Sequence, residues 1–281
     1  MTSAEQKQLA DSFRARHRRK PVLLLPNAWD AMSARLFVAA GFDALATTSG
    51  GVAWALGYAD GEQTPWREVV EATRRIVRTA GVAVTADIEA GYGATASAVG
   101  DHVAEIIAAG IVGINLEDGL HATPPMRSVE DAASRIRAAR AAADRAGIPI
   151  VINARCDLYF HGLGSDAERF AETVARCRAY VEAGADCVYP FGLRDPGIIA
   201  ALVEALAVPV NITGRPGMPD AAALEQLGVA RITVATAPAL VAMSAIRTLA
   251  EGLRATGSFE ALAASLRHPD AQKLFASAAA G

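Results

Sequence analysis

The chain has 281 residues, 52% of them hydrophobic, and a formal net charge of −3. That length supports a sizeable core, and the apolar content excludes a disordered tail. With no basic stripe interleaved with aromatics and no long apolar segment, neither nucleic acid nor a membrane is an expected partner.

Residues 1–20 read as an N-terminal helix begun near Ala4, with the basic run FRARHRRK (13–20) as its solvated amphipathic end. Short apolar, β-rich runs then recur at 22–28, 44–50, 82–89, 113–119, 151–157, 187–192, 208–213 and 230–236. Helical patterns lie between them, including 66–79, 96–109, 128–146 and 166–183, and Asp30 is placed to cap the first. Gly81, Gly110, Gly147, Gly184 and Gly228 stand where a helix stops before a strand. Eight strand–helix units predict an α/β fold of the TIM (β/α)8 barrel type, one domain over 1–281, with a C-terminal helical extension at 257–281. The competing doubly wound sheet lacks its glycine fingerprint, because PNAWDAMSARL follows the first strand where GxGxxG belongs. Cys156, Cys177 and Cys187 form no CxxC pair and no signal peptide stands out, so a reduced, cytoplasmic chain is expected.

Alternate residues of a strand face opposite sides. In the third run Thr85, Asp87 and Glu89 share one face; in the fourth Asn115 and Glu117; in the fifth Asn153, Arg155 and Asp157; in the seventh Asn211 and Thr213. The opposite faces are apolar and suit packing against helices, so the polar sets point inward. They cluster at the C-terminal strand ends, where barrel active sites are built.

That places Asp87, Glu89 and Glu117 together, with Asp60 from the loop after strand two. Carboxylates so close cannot all stay ionised without a counter-charge. Oxygen donors without His or Cys favour Mg²⁺, or Mn²⁺, over Zn²⁺. Arg155 is a clamp for a substrate carboxylate or a developing oxyanion; the alternative is a buried Arg155–Glu117 ion pair with no ligand. Ser49-Gly50-Gly51 ends strand two, where backbone N–H groups can approach an anion or merely turn the chain.

Residues 26–61, TADIEAGYG (85–93), INLEDG (114–119), INARCD (152–157) and YVEAGADCVYP (180–190) resemble, in order and spacing, the isocitrate lyase / phosphoenolpyruvate mutase superfamily. The similarity runs from about residue 22 to about residue 250. It implies a barrel whose eighth helix is swapped between subunits of a homodimer or homotetramer. It also implies Mg²⁺ and a small carboxylate substrate whose C–C or C–P bond is made or broken through an enolate-like intermediate. Asp87 would be the direct metal ligand, with Asp60, Glu89 and Glu117 acting through water. Ser49, Gly50 and Gly51 would grip the substrate carboxylate, Arg155 the 2-oxo side, and Asn211 matches a substrate-binding asparagine.

Departures from the pattern narrow the chemistry. The tricarboxylate lyases carry a Lys-Lys-Cys-Gly-His loop after strand four, a tyrosine before the SGG serine and a glutamate late in strand six. This chain has EDGLHATPPMRSVED (117–131), Thr47 and Phe191 there. The phosphonate-forming mutases carry a loop lysine and asparagine and a histidine near strand six, where Thr123, Pro125 and Phe191 stand. The expectation is therefore a Mg²⁺-dependent lyase on an oxaloacetate- or substituted-malate-like acid. Alternatives are a C–P mutase or hydrolase on phosphonopyruvate or a carboxyphosphono analogue, and a non-catalytic 2-oxo acid binding protein. Arg155 and Glu117 are catalytic candidates. His121 is the candidate proton source, with Tyr58 and Tyr159 as further candidates and His161 undecided; His102 is expected on a helix surface. Cys156 and Cys177 are given no nucleophilic role.

Overall fold

The computed structural model describes residues 1–120, 125–264 and 266–276. Strand β1 runs Leu23–Leu25 and resumes past Pro26 as Asn27–Ala28. Proline has no N–H to give the ladder, so the strand pairs on one side before it and on the other after it. The remaining strands are β2 (Ala44–Thr47), β3 (Ala83–Asp87), β4 (Gly113–Glu117), β5 (Val151–Cys156), β6 (Cys187–Pro190), β7 (Asn211–Thr213) and β8 (Arg231–Thr233). All pair in parallel, Asn27↔Ala46 joining β1 to β2 and Leu23↔Arg231 joining β1 to β8. Between β6 and β7 a single bridge, Val188↔Val210, completes the circle. This is the expected eight-stranded barrel.

The helices Trp66–Ala80, Ala96–Ala108, Val129–Ala146 and Asp166–Glu182 lie within two residues of the spans read from the sequence. Gly81 and Gly147 are left-handed C-caps, at φ 64° and 67°, where a side chain would be strained. Asp30 caps helix Ala31–Ala39, accepting from Ser33 N at 2.7 Å.

Two expectations need correction. The N-terminal helix, Ser3–Arg16, is not merely solvated: Gln6, Ala10 and Phe13 are buried, and Gln6 donates to Ile107 O and Ile111 O at 2.8 and 2.9 Å. Arg14 reaches Ile150 O at 3.0 Å and pairs with Asp186, so the helix covers the N-terminal end of the barrel. Basic side chains there lay their stems and heads over that end, which a charge count cannot reveal. Secondly, the run 44–50 is a strand only to Thr47; Ser49–Leu56 is a helix that opens at the C-terminal end of β2. The helix after β8, Ala237–Thr256, buries only Ala239 of its twenty residues. Leu240, Val241, Met243 and Ile246 remain 46–70% exposed, so this helix leaves the barrel wall bare instead of completing the ring. The C-terminal extension contributes a 3-10 turn, Glu260–Ala264, and helix His268–Ala276, whose Leu274 carbonyl accepts from Arg35. Among the described residues no helix is long and apolar enough to cross a membrane.

Candidate active site

At the C-terminal strand ends lies a cavity of about 350 Å³. Ser49, Asp60, Asp87, Glu89, Glu117 and Arg155 all line it, so most of the expected residues do converge. Gly50 and Gly51 sit just behind Ser49 and serve packing. A Cβ on Gly51 would fall 2.6 Å from Thr48 Cγ2, and one on Gly50 would fall 3.0 Å from Asp60 Oδ2. Asn211 is fully buried beneath the mouth, giving its amide to Thr233 Oγ1 at 3.3 Å, and does not line the cavity. Its strand enters the barrel deeply enough that the inward position is a floor beam. His121 and Thr123 lie outside the described residues.

Asp87 ends β3. Its amide donates to Thr47 Oγ1 at 2.8 Å, and its Oδ2 accepts from Ser49 N at 3.3 Å, at the positive end of helix Ser49–Leu56. Burial outweighs the nearby charge of Arg155 and pushes the Asp87 carboxyl above its ordinary range. Glu89 reaches the mouth differently from the alternation expected, because the strand stops at Asp87 and Glu89 is left-handed, at φ 50°. Its carboxylate accepts from Glu62 N at 2.9 Å and from Tyr92 Oη at 2.6 Å, and Tyr92 N donates to Glu62 Oε1 at 2.6 Å. Glu62 and Tyr92 are left-handed too, at φ 57° each. Three such non-glycine residues tied to one another are held by these bonds against their own backbone preference. Burial raises the Glu89 carboxyl to about 7, with the Tyr92 hydrogen bond opposing and the charges of Asp60 and Asp87 adding to it.

Arg155 stands opposite. Its Nε and Nη2 meet both oxygens of Asp157, at 2.6 and 2.9 Å, and its Nη1 lies 2.6 Å from Glu117 Oε2, so the expected ion pair is present inside the cavity wall. The Glu117 contact is not aligned as a hydrogen bond, which leaves that buried oxygen without one. Burial holds Glu117 well above the usual carboxylate range, against the pull of Arg155. Asp157 reaches Arg155 because residue 119 is glycine: a Cβ there would fall 2.5 Å from Asp157 Oδ2. The Arg155 guanidinium also lies 3.8 Å from the centroid of the Phe191 ring. Beneath the floor, fully buried Arg231 donates to Asn115 Oδ1 at 3.0 Å. A second positive charge thus sits under the acidic mouth.

Several lining residues had no sequence signal. Asp157 had inward parity without a role, whereas Tyr189, Trp54 and Arg215 reach the mouth only by tertiary convergence. His161 lines the cavity, settling its place; Tyr58 and Tyr159 do not line it. His102 is half-buried, stacked on Trp66 with its Nδ1 2.9 Å from Gly91 O, and is not a free surface histidine. Cys156 and Cys177 are buried.

Among the described residues no three His, Cys, Asp or Glu side chains are gathered to ligate an ion directly. The all-oxygen set nevertheless fits a hard divalent cation bound by one carboxylate and, through water, by its neighbours. Burial pushes Asp87, Glu89 and Glu117 toward their neutral forms, and a cation is what such a group accepts in place of protons.

The sequence profile of the phosphoenolpyruvate phosphomutase family matches residues 13–254. An uncharacterised protein of Mycobacterium tuberculosis (strain ATCC 25618 / H37Rv) is 34% identical over 269 residues, 93% of this chain and 95% of that one. Oxaloacetate decarboxylase of Pseudomonas paraeruginosa (strain DSM 24068 / PA7) is 33% identical over 236 residues, 80% of this chain and 76% of its own. Among solved structures, a provisionally named phosphonomutase from Burkholderia cenocepacia J2315 is 44% identical, with TM-score 0.83 over 87% of this chain and 99% of that one. 2,3-Dimethylmalate lyase, described as a PEP mutase/isocitrate lyase superfamily member, is 26% identical, with TM-score 0.83 over 97% and 94%. Phosphonopyruvate hydrolase, solved with oxalate and Mg²⁺, is 25% identical, with TM-score 0.83 over 99% and 96%.

Proposed function

Because the chain belongs to the phosphoenolpyruvate phosphomutase family, in the superfamily of lyases and mutases shared with isocitrate lyase, we propose that it is a Mg²⁺-dependent C–C lyase. Its substrate is a small 2-oxo or 2-hydroxy acid of the oxaloacetate or substituted-malate kind. The observation that carries this is one cavity lined by Asp87, Glu89, Glu117 and Asp60 together with Arg155.

Asp87 would hold the Mg²⁺ directly, with Asp60, Glu89 and Glu117 acting through its waters; Mn²⁺ suits the same donors. Bound there, the ion supplies positive charge to the oxygen that turns anionic as the bond breaks. The substrate carboxylate sits at the start of helix Ser49–Leu56, where the Ser49 N–H now given to Asp87 turns to the ligand. Arg155 is already oriented by Asp157 and Phe191, so it meets the developing oxyanion without reorganising. His161 is the described histidine at the mouth and the candidate for returning a proton to carbon.

A second reading, C–P bond chemistry on phosphonopyruvate, draws support from the 44% identical relative named as a phosphonomutase. The exposed face of helix Ala237–Thr256 supports a homodimer or homotetramer in which a second copy receives this helix.

The test is to incubate the protein with a panel of 2-oxo and 2-hydroxy acids, in Mg²⁺ and then in EDTA. Pyruvate, CO₂ or an aldehyde acid released only with Mg²⁺ supports the lyase. Turnover undiminished by EDTA, or turnover confined to phosphonopyruvate by phosphorus NMR, overturns it.

A further inference from the structure

Two guanidiniums line the cavity, and only one of them is neutralised. Arg155 is committed to Glu117 and Asp157. Arg215, in the loop after β7, also lines the cavity, but its side chain makes no ion pair and no hydrogen bond with any described residue. Its Nε is buried and without a partner. Its guanidinium carbon lies 5.3 Å from the centroid of Phe191, the same ring that Arg155 approaches to 3.8 Å. The two cations therefore share one aromatic wall and can be no farther apart than the sum of those distances. Phe160 and Tyr189 make the rest of that wall, with ring centroids 5.2 and 5.4 Å from Phe191. No described carboxylate of the wall offers Arg215 a partner, and an arginine keeps its charge at every accessible pH.

We infer that the Arg215 guanidinium is the group that pairs with the second acid of the diacid substrate, so that this residue sets the preference over monoacids. This rests on the reading above, in which the carboxylate side of the cavity takes the 2-oxo acid end. A three-carbon monoacid anchored there leaves the Arg215 Nε–H buried and unpaired. A substrate whose far carbon carries a carboxylate or phosphonate satisfies it with a charge-assisted bond. Such a pair discriminates strongly, because the analogue that lacks the acid leaves a buried donor unmet. Arg215 is thus a specificity-determining residue that the strand-end parity of the sequence could not single out.

The test is calorimetric titration of the Mg²⁺-loaded protein with oxalate, pyruvate, 3,3-difluorooxaloacetate and phosphonopyruvate, using wild type, Arg215→Gln and Arg215→Lys. Oxalate and pyruvate should bind both variants within about twofold of wild type, since neither reaches Arg215. The diacid should bind Arg215→Gln about 10- to 100-fold more weakly, the worth of a hydrogen bond to a charged group, with partial recovery in Arg215→Lys. A larger loss for phosphonopyruvate than for the diacid makes the second acid a phosphonate; a smaller one makes it a carboxylate. Equal diacid affinity in wild type and Arg215→Gln overturns the inference. Failure of wild type to bind oxalate with Mg²⁺ instead overturns the underlying metal-and-carboxylate reading, a distinct result. Arg215 loses only its approach to the Phe191 ring, so both variants should melt close to wild type.

Discussion

Arg155→Met is the sharpest test of the electrostatics of the mouth. The substitution keeps an apolar stem against Phe191 but strips the counter-charge from Glu117 and Asp157, whose side chains are 6% and 3% exposed. Deleting one partner of a buried pair costs about 3–5 kcal/mol, because the remaining charge stays desolvated. Two carboxylates are stranded here, yet protonation of Glu117 limits the damage, so the loss at pH 8 should fall in that same range. It should shrink toward pH 5. Glu117 is already held above the carboxylate range by burial, and Arg155 is what pulls it down, so without Arg155 it takes up its proton more readily still. A group whose folded value is raised stabilises the fold at low pH and loses that contribution as pH rises through the folded value. The assay is urea denaturation of the metal-free protein at pH 5 and pH 8, for wild type, Arg155→Met, and Arg155→Met combined with Glu117→Gln and Asp157→Asn. The triple variant should recover most of the loss at pH 8. A single variant within about 1 kcal/mol of wild type at pH 8, or a loss as large at pH 5, refutes the reasoning.

Three further outcomes are expected. Glu89, raised from 4.5 to about 7, should make the metal-free protein lose up to about 3 kcal/mol between pH 4.5 and pH 8, and Glu89→Gln should flatten that slope in denaturation curves. Tyr92→Phe removes the hydroxyl bond that holds Glu89 in place and lowers its carboxyl, so Mg²⁺ affinity at pH 7 should fall about tenfold by calorimetry; unchanged affinity would detach Glu89 from the metal site. Val241→Asp with Ile246→Asp places charge on the bare helix face, and light scattering should show a smaller particle than wild type. An unchanged mass would count against the swapped helix.

The inward residues of β3, β4 and β5 were legible because alternation is enforced by the pleat itself: Asp87, Glu117 and Arg155 converge at the mouth as the pattern requires. Glu89 met the right place for another reason, since the strand ends two residues before it and a left-handed turn, held by Tyr92 and Glu62, brings it back. Asn211 shows the limit of parity, which gives the face but not the depth along the barrel axis. Tyr189 and Arg215 meet the mouth through residues of other strands and loops, and no local pattern encodes such a neighbour. Phe191 was visible as a departure from known relatives, but its stacking against two arginines emerges only in three dimensions. FRARHRRK looked like a solvated face because its charges dominate, whereas Phe13 and the buried His17 fit the helix against the barrel.

The seam between β6 and β7 has a consequence for how such an enzyme diverges. Asp87 and Glu117 hang on β3 and β4, inside an unbroken ladder that continues to β6. Phe191, Tyr189 and Arg215 hang at the one joint closed by a single backbone bridge, reinforced by the Tyr189–Thr213 hydroxyl contact. Amide protons along β7 should accordingly exchange sooner than those of β4. A lineage can then rewrite the wall that chooses the ligand without loosening the ladder that carries the acids. The reaction centre and the taste for substrate become separately inheritable parts of one barrel.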